Sequence, residues 1–379
     1  MSETVVEQTA IEQTAQVAIS QPVWDVVYLV SCAVDGTPPN AKRVADMDLN
    51  AVFRVAQRHL LASACATALD AAGVRDERFV QAWGKAVRKV AAMDAERAEL
   101  FRRMDAVGIW HMPLKGCVLQ ALYPSYGTRQ MADNDILFDA TRADDVRKIM
   151  TEMGFSTEYF DRGPHDVYHK EPVCNFELHR ALFGAAHERV VHEYYQDVER
   201  LLQPDEDGSY GVHFSDEEFY VYLVAHEHKH FAGGGTGMRS LLDTFVWLRA
   251  KGLGMDWEHV LRELDALGLS DFEQENRELA LNLFSGAPLS PANLEMLAYI
   301  VDSGTYGTMA HNLANQIARY GRAGYLLRRT FPSFAQMTSL YPVLGRVPML
   351  LPACWAWRLA SALVTKPRKV ARQLRAAFW

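Results

Sequence analysis

Apolar residues recur at helical spacing through residues 22–105, and three stretches carry the pattern. VVYLVSCAV is a continuous apolar run. DLNAVFRVAQRHLLASACATAL spaces its apolar positions for a helix behind Asp48, a residue suited to capping. FVQAWGKAVRKVAAMDAERAELFRRM then keeps its charges to one face. The period changes at GIWHMPL, residues 108–114, which is short and runs into Lys-Gly as a strand enters a turn. A brief helix over CVLQALYP, a loop over YGTRQMA and a second strand over DNDILF follow. TRADDVRKIMTEMGF predicts an amphipathic helix with Thr141 as cap and Gly154 as stop. VYHK and VCNFELHR predict an antiparallel pair across a Glu-Pro turn. Helices return from Ser215, over SDEEFYVYLVAHEHKHF and MRSLLDTFVWLRAKG, and continue to about residue 330.

The expected fold class is α+β, with a small mixed β-sheet and flanking helical N- and C-terminal regions. The chain divides into an acidic disordered tail (1–21), a helical region (22–105) and an α/β core (106–214, densest at 106–180). A second helical region (215–330) and a C-terminal apolar segment with a basic helix (331–379) complete it. No internal repeat is present.

At 379 residues the chain can bury a sizeable core, and 49% hydrophobic with 23% charged residues is ordinary globular composition. The net charge of -8 argues against a general nucleic-acid coat and leaves a local basic face open. Cys32, Cys65, Cys117, Cys174 and Cys354 lie far apart, as expected of reduced thiols in a cytoplasmic protein. The first residues lack the basic and apolar regions of a signal peptide. YPVLGRVPMLLPACWAWRLASALV holds an apolar run of 11 residues between Arg346 and Arg358. A span needs about 20 residues, so a buried or interfacial segment is expected and no membrane span.

The candidate chemistry begins at MADNDILF. In a strand, residues i and i+2 share a face, so Asp133 and Asp135 become neighbouring carboxylates. Like charges that close raise each other's pKa unless a cation stands between them. A divalent metal is one resolution; a polar loop tip ahead of a strand is the other. In VCNFELH, alternation puts Cys174, Phe176 and Leu178 on one face and Asn175, Glu177 and His179 on the opposite face. Beside DNDILF, Glu177 would reach the same cluster. Three carboxylates on adjacent strands suit two-metal phosphoryl transfer, with ions about 3.5–4 Å apart. Magnesium, or manganese, prefers such oxygen ligands. Upstream, Lys115 and Gly116 stand where a strand meets a helix, whose free N–H groups can bind phosphate.

PLKGCVLQALYP, YGTRQMADNDILF and FELHR together resemble the uncharacterised nucleotidyltransferase family of the DNA polymerase β-like superfamily. The likeness is good over residues 108–180 and loose over 20–350. It implies transfer of a nucleoside monophosphate from an NTP to a hydroxyl acceptor, which RNA, protein or a small molecule could supply. Asp133, Asp135 and Glu177 would be the metal-binding catalytic acids, Lys115 and Gly116 would lie against the triphosphate, and Arg129 near the phosphates. The chain departs from the pattern at Ala132, where serine is common, at Asn134 inside the acidic pair, and at Arg180, where tryptophan is frequent. Lys-Gly replaces the superfamily's usual Gly-Ser. A descendant that binds nucleotide without turnover is one alternative.

A second alternative is a zinc hydrolase built on His226-Glu227-His228-Lys229-His230, a literal HExxH. It lacks an evident third ligand. The resemblance instead suggests that this helix packs over the cleft, with His226, Lys229 or His230 near phosphates and His179 as a further substrate-facing group. A polar helix end with satisfied histidines is the plain reading. Gly233 to Gly237 suits a linker or a phosphate loop, and Arg239 with Asp243 a weak i, i+4 pair or a functional role. His111 is expected in the core, His165 and His169 in solvent, and Trp355 with Trp357 in packing. KPRKVARQLRAAF predicts a solvated basic helix able to meet an anionic partner.

Overall fold

The computed structural model describes residues 19–161, 163–184 and 189–365. The expected N-terminal tail (but for its last three residues) and the basic helix after residue 365 lie outside the described residues. Five helices open the chain: α1 (Gln21–Asp35), α2 (Ala41–Ala45), α3 (Leu49–Arg58), α4 (Ala62–Ala71) and α5 (Glu77–Ala106). Asp48 caps α3, its carboxylate accepting from the amides of Asn50 and Ala51.

The α/β part contains β1 (His111–Pro113), a single turn α6 (Gly116–Leu119), β2 (Asn134–Phe138), α7 (Ala143–Glu152), β3 (Ser156–Tyr159), β4 (His165–Lys170) and β5 (Cys174–His179). Asp139 rather than Thr141 caps the entry to α7, because its side chain reaches the Thr141 amide across a 3-10 turn. The five strands form one mixed sheet in the order β1-β2-β5-β4-β3. β2 and β5 are parallel and the other neighbours antiparallel. Sequence reasoning missed β3, whose four residues are all exposed and offer no alternation to read.

Alternation sorts the two sheet faces. Ile136, Phe138, Phe176 and Leu178 pack on α5 and α7. Leu137 faces the opposite way, in the same cluster as Tyr220 to Ala225 of α9 (Asp216–Gly233). A short helix α8 (Arg189–Tyr194) and the β6–β7 hairpin (Leu202–Pro204, Val212–Phe214) lie between the sheet and α9 in the chain. α10 (Met238–Lys251), α11 (Trp257–Ala266), α12 (Ser270–Ser285) and α13 (Pro291–Ser303) follow. Residues of α10, α12 and α13 join α1 to α4 in one hydrophobic core, so the first and later helices stabilise each other. The described chain ends in α14 (Met309–Thr330), α15 (Phe334–Leu340), α16 (Val343–Arg346) and α17 (Leu351–Thr365). No helix among the described residues is long and apolar enough to cross a membrane.

Candidate active site

Parallel pairing of β2 with β5 sets Asp135 directly beside Glu177, and Leu137 beside His179. Odd-numbered positions of both strands face α9, so Asp133, Asp135, Glu177 and His179 converge on one side of the sheet. Asn134 points the other way and is fully buried. It donates to the Met93 carbonyl at 3.0 Å and accepts from Arg97 at 2.9 Å, tethering the strand to α5. That explains an amide between the two acids: an apolar residue there would leave these partners unsatisfied.

Asp135 is the centre of the cluster. Its Oδ1 accepts from Lys115 Nζ at 2.6 Å and from His179 Nε2 at 2.8 Å. Burial opposes its charge, but the Lys115 ammonium and the His179 hydrogen bond hold the carboxyl well below the usual range. Asp133 and Glu177 go the other way. Burial and then the charge of Asp135 push Asp133 up to about 6. Burial, followed by Asp135 and Asp133, raises Glu177 to about 7. One acid is thus firmly ionised and two are poised near neutrality. Lys115 itself has φ 46° and ψ −116°, a backbone conformation that costs energy for a residue with a side chain and persists where surroundings enforce it.

α9 covers the cluster. Tyr222, His226 and Lys229 fall at helical positions i, i+4 and i+7, so one face presents all three. Tyr222 is buried and feels the charges of Lys115, Asp135 and Glu177. Burial and Lys115 lower the Lys229 ammonium, while Glu177 and Asp135 sustain it. Burial, then Lys115 and His230, lowers His226 well below the ordinary histidine range. From α5, Lys89 donates to the Ala132 carbonyl at 2.5 Å and attracts Asp133. Tyr222 and Lys89 were not singled out from the sequence; each looks like one more residue of an amphipathic helix until the sheet is in place.

His165, expected in solvent, is half-buried on β4 opposite His179. Its Nε2 lies 3.8 Å from Glu177 Oε2, as does that of His179. His165, Glu177 and His179 are the one group among the described residues with three potential ligand atoms within 4.8 Å of one another. His179 also holds a buried Nδ1 with no hydrogen-bond partner. The donor set that fits a divalent cation is therefore Glu177 with imidazole nitrogens beside it, and Asp135 and Asp133 add negative charge on the same side of the sheet.

The structure gives several of the expected site residues close partners. A Cβ on Gly116 would collide with the Arg129 guanidinium and meet Met131 Sδ at 2.8 Å. The amides of Cys117, Val118 and Leu119 bond the carbonyls of Leu114 and Lys115, because α6 is only one tight turn. Arg129 is buried against Asp243, which receives its Nε and Nη2 at 2.7 Å each. Asp243 is thereby engaged, and Arg239 instead donates to the Gln130 carbonyl at 2.9 Å while attracting Asp133. Gly233 to Gly237 is no linker: a Cβ on Gly235 would collide with the Ser303 side chain, so the loop needs glycine to pack on the end of α13.

The zinc-hydrolase alternative loses its base. His226 and His230 face each other at 3.1 Å, but the Glu227 carboxylate turns into the core, accepting from Thr244 at 2.9 Å and Asn276 at 2.7 Å. No third histidine, cysteine or acid joins the pair among the described residues. His111 is buried as expected and stacks on Phe101. Trp355 packs on Phe331, whereas Trp357 is 67% exposed and not in packing.

A family model described as an uncharacterised nucleotidyltransferase matches residues 45–285, which takes in every residue of the cluster. No curated protein and no solved structure matches the chain.

Proposed function

Because the chain belongs to the uncharacterised nucleotidyltransferase family, we propose that it transfers a nucleoside monophosphate from an NTP to an acceptor hydroxyl. Asp133, Asp135 and Glu177 would hold magnesium or manganese. The observation that carries this reading is the register of two parallel strands, which seats Asp135 against Glu177, with Asp133 close enough to both for their charges to interact. The chemistry a bound divalent ion supplies is neutralisation of the triphosphate and activation of the attacking oxygen.

The chain's own groups divide the remaining work. Lys115 is paired to Asp135 and is free to turn to a phosphate once that carboxylate has another cation. Lys229 and His226 close the same cleft from α9, and Arg239 brings a further positive charge toward Asp133. Glu177 also faces the cluster from β5, where it could help take the proton of an attacking hydroxyl. A hydroxyl on RNA, on a protein or on a small molecule meets the same chemistry.

Pyrophosphate release from each NTP, with magnesium or manganese and candidate acceptors, tests the reading. Release by wild type and none by a folded Asp135→Asn variant is expected. Release that survives Asp135→Asn would overturn the assignment of the acids. Nucleotide binding without pyrophosphate from any NTP would instead favour a non-catalytic binder.

A further inference from the structure

Beyond the matched family region, the C-terminal helices differ in composition and surface from the rest of the chain. From residue 303 to the end there are eleven Arg or Lys and no Asp or Glu, although the whole chain has 39 basic against 47 acidic residues. Large apolar side chains are also displayed there. Nine of the 21 exposed ones among the described residues fall between residues 327 and 357. Met349 is 90% exposed, Trp357 67% and Leu327 62%. Gly345 to Leu350 is an unbroken exposed run with Arg346 inside it. A basic segment that shows aliphatic and aromatic side chains together has the chemistry of an interfacial anchor rather than of a solvated helix.

We propose that residues 319–358 dock the protein on the surface of an anionic lipid bilayer. Residues 319–358 contain six arginines and no Asp or Glu, a composition that matches a surface of uniform negative charge. Met349, Leu350, Val343 and Val347 are exposed and have no π-face, so they suit acyl chains and not stacked bases.

The location gives the docking a consequence. A cavity of about 2290 Å³ separates α9 from the C-terminal helices, and Lys229 lines it together with Phe331, Phe334, Trp355 and Arg358. Lys229 also senses Glu177 and Asp135. A bilayer held by the C-terminal helices therefore stands beside the cavity that Lys229 lines. The docking itself does not depend on the reaction assigned to those acids.

Co-sedimentation of the full chain with phosphatidylcholine vesicles, with and without phosphatidylglycerol, tests the proposal. Two variants at exposed positions, Met349→Asp and Arg346→Glu, separate insertion from charge, and their melting temperatures check the fold. Binding only to the anionic vesicles is expected, weakened by salt and reduced about tenfold or more in each variant. No sedimentation with either vesicle overturns it. So does vesicle binding that both variants retain in full, which would place the contact elsewhere. Binding to single-stranded RNA without vesicle binding overturns it in favour of a nucleic-acid surface. A dimer that Met349→Asp dissociates, again without vesicle binding, overturns it in favour of a second copy.

Discussion

Arg129 and Asp243, 114 positions apart, form a bidentate ion pair that is buried on both sides and joins the loop before β2 to α10. Tyr123 adds a third bond, donating to Asp243 Oδ1 at 2.7 Å. Truncating one partner strands the other charge away from water. Asp243→Asn should therefore lower unfolding free energy by about 3–5 kcal/mol, read from a urea titration. The double variant Arg129→Met with Asp243→Leu should recover much of that loss. A change below about 1 kcal/mol in the single variant would mean the pair is solvated.

Lys115 competes with any bound cation for Asp135. Lys115→Met should bind magnesium or manganese about tenfold more tightly without nucleotide, yet bind NTP about tenfold less tightly with metal present. Isothermal titration of both ligands separates the two effects. Loss of metal and nucleotide binding together would point to a collapsed site instead.

His165 makes the site more than a carboxylate cluster. Imidazole favours manganese or zinc over magnesium, so His165→Ala should narrow the preference for manganese by several-fold and leave magnesium affinity nearly unchanged. Competition between the two ions in a nucleotide-binding assay measures this. An unaltered ratio would put His165 outside the coordination sphere.

Glu227 couples stability to pH. Burial, only partly offset by its bonds to Thr244 and Asn276, pushes its carboxyl up to about 8 from 4.5. The folded chain then keeps a proton that the unfolded chain releases between these values, so stability is full below pH 4.5 and falls as pH rises to 8. Each pH unit in that window costs up to about 1.4 kcal/mol. Glu227→Gln stays neutral throughout, and should match wild type near pH 4.5 and exceed it clearly at pH 8, measured by denaturant midpoint. An equal gap at both pH values would contradict the buried acid.

The sequence carried the strands of the site well, because alternation in VCNFELH and DNDILF names the faces before the partner is known. It also placed Asp48 as a cap. It did not show the neighbours of Gly116, Arg129 and the Gly233 to Gly237 loop, because these atoms arrive from distant parts of the chain. A glycine tolerating a phosphate and a glycine tolerating a guanidinium look the same in one dimension. His165 was missed for a related reason: its value comes from facing His179 across β4 and β5, and that register requires the hairpin.

The most direct test of the central claim is calorimetric titration of each NTP, with and without magnesium, into wild type and Asp133→Asn. Metal-dependent binding of at least one NTP to wild type, and its loss in the variant, is expected. Binding of no NTP to the folded protein, or equal binding to the variant, would contradict it.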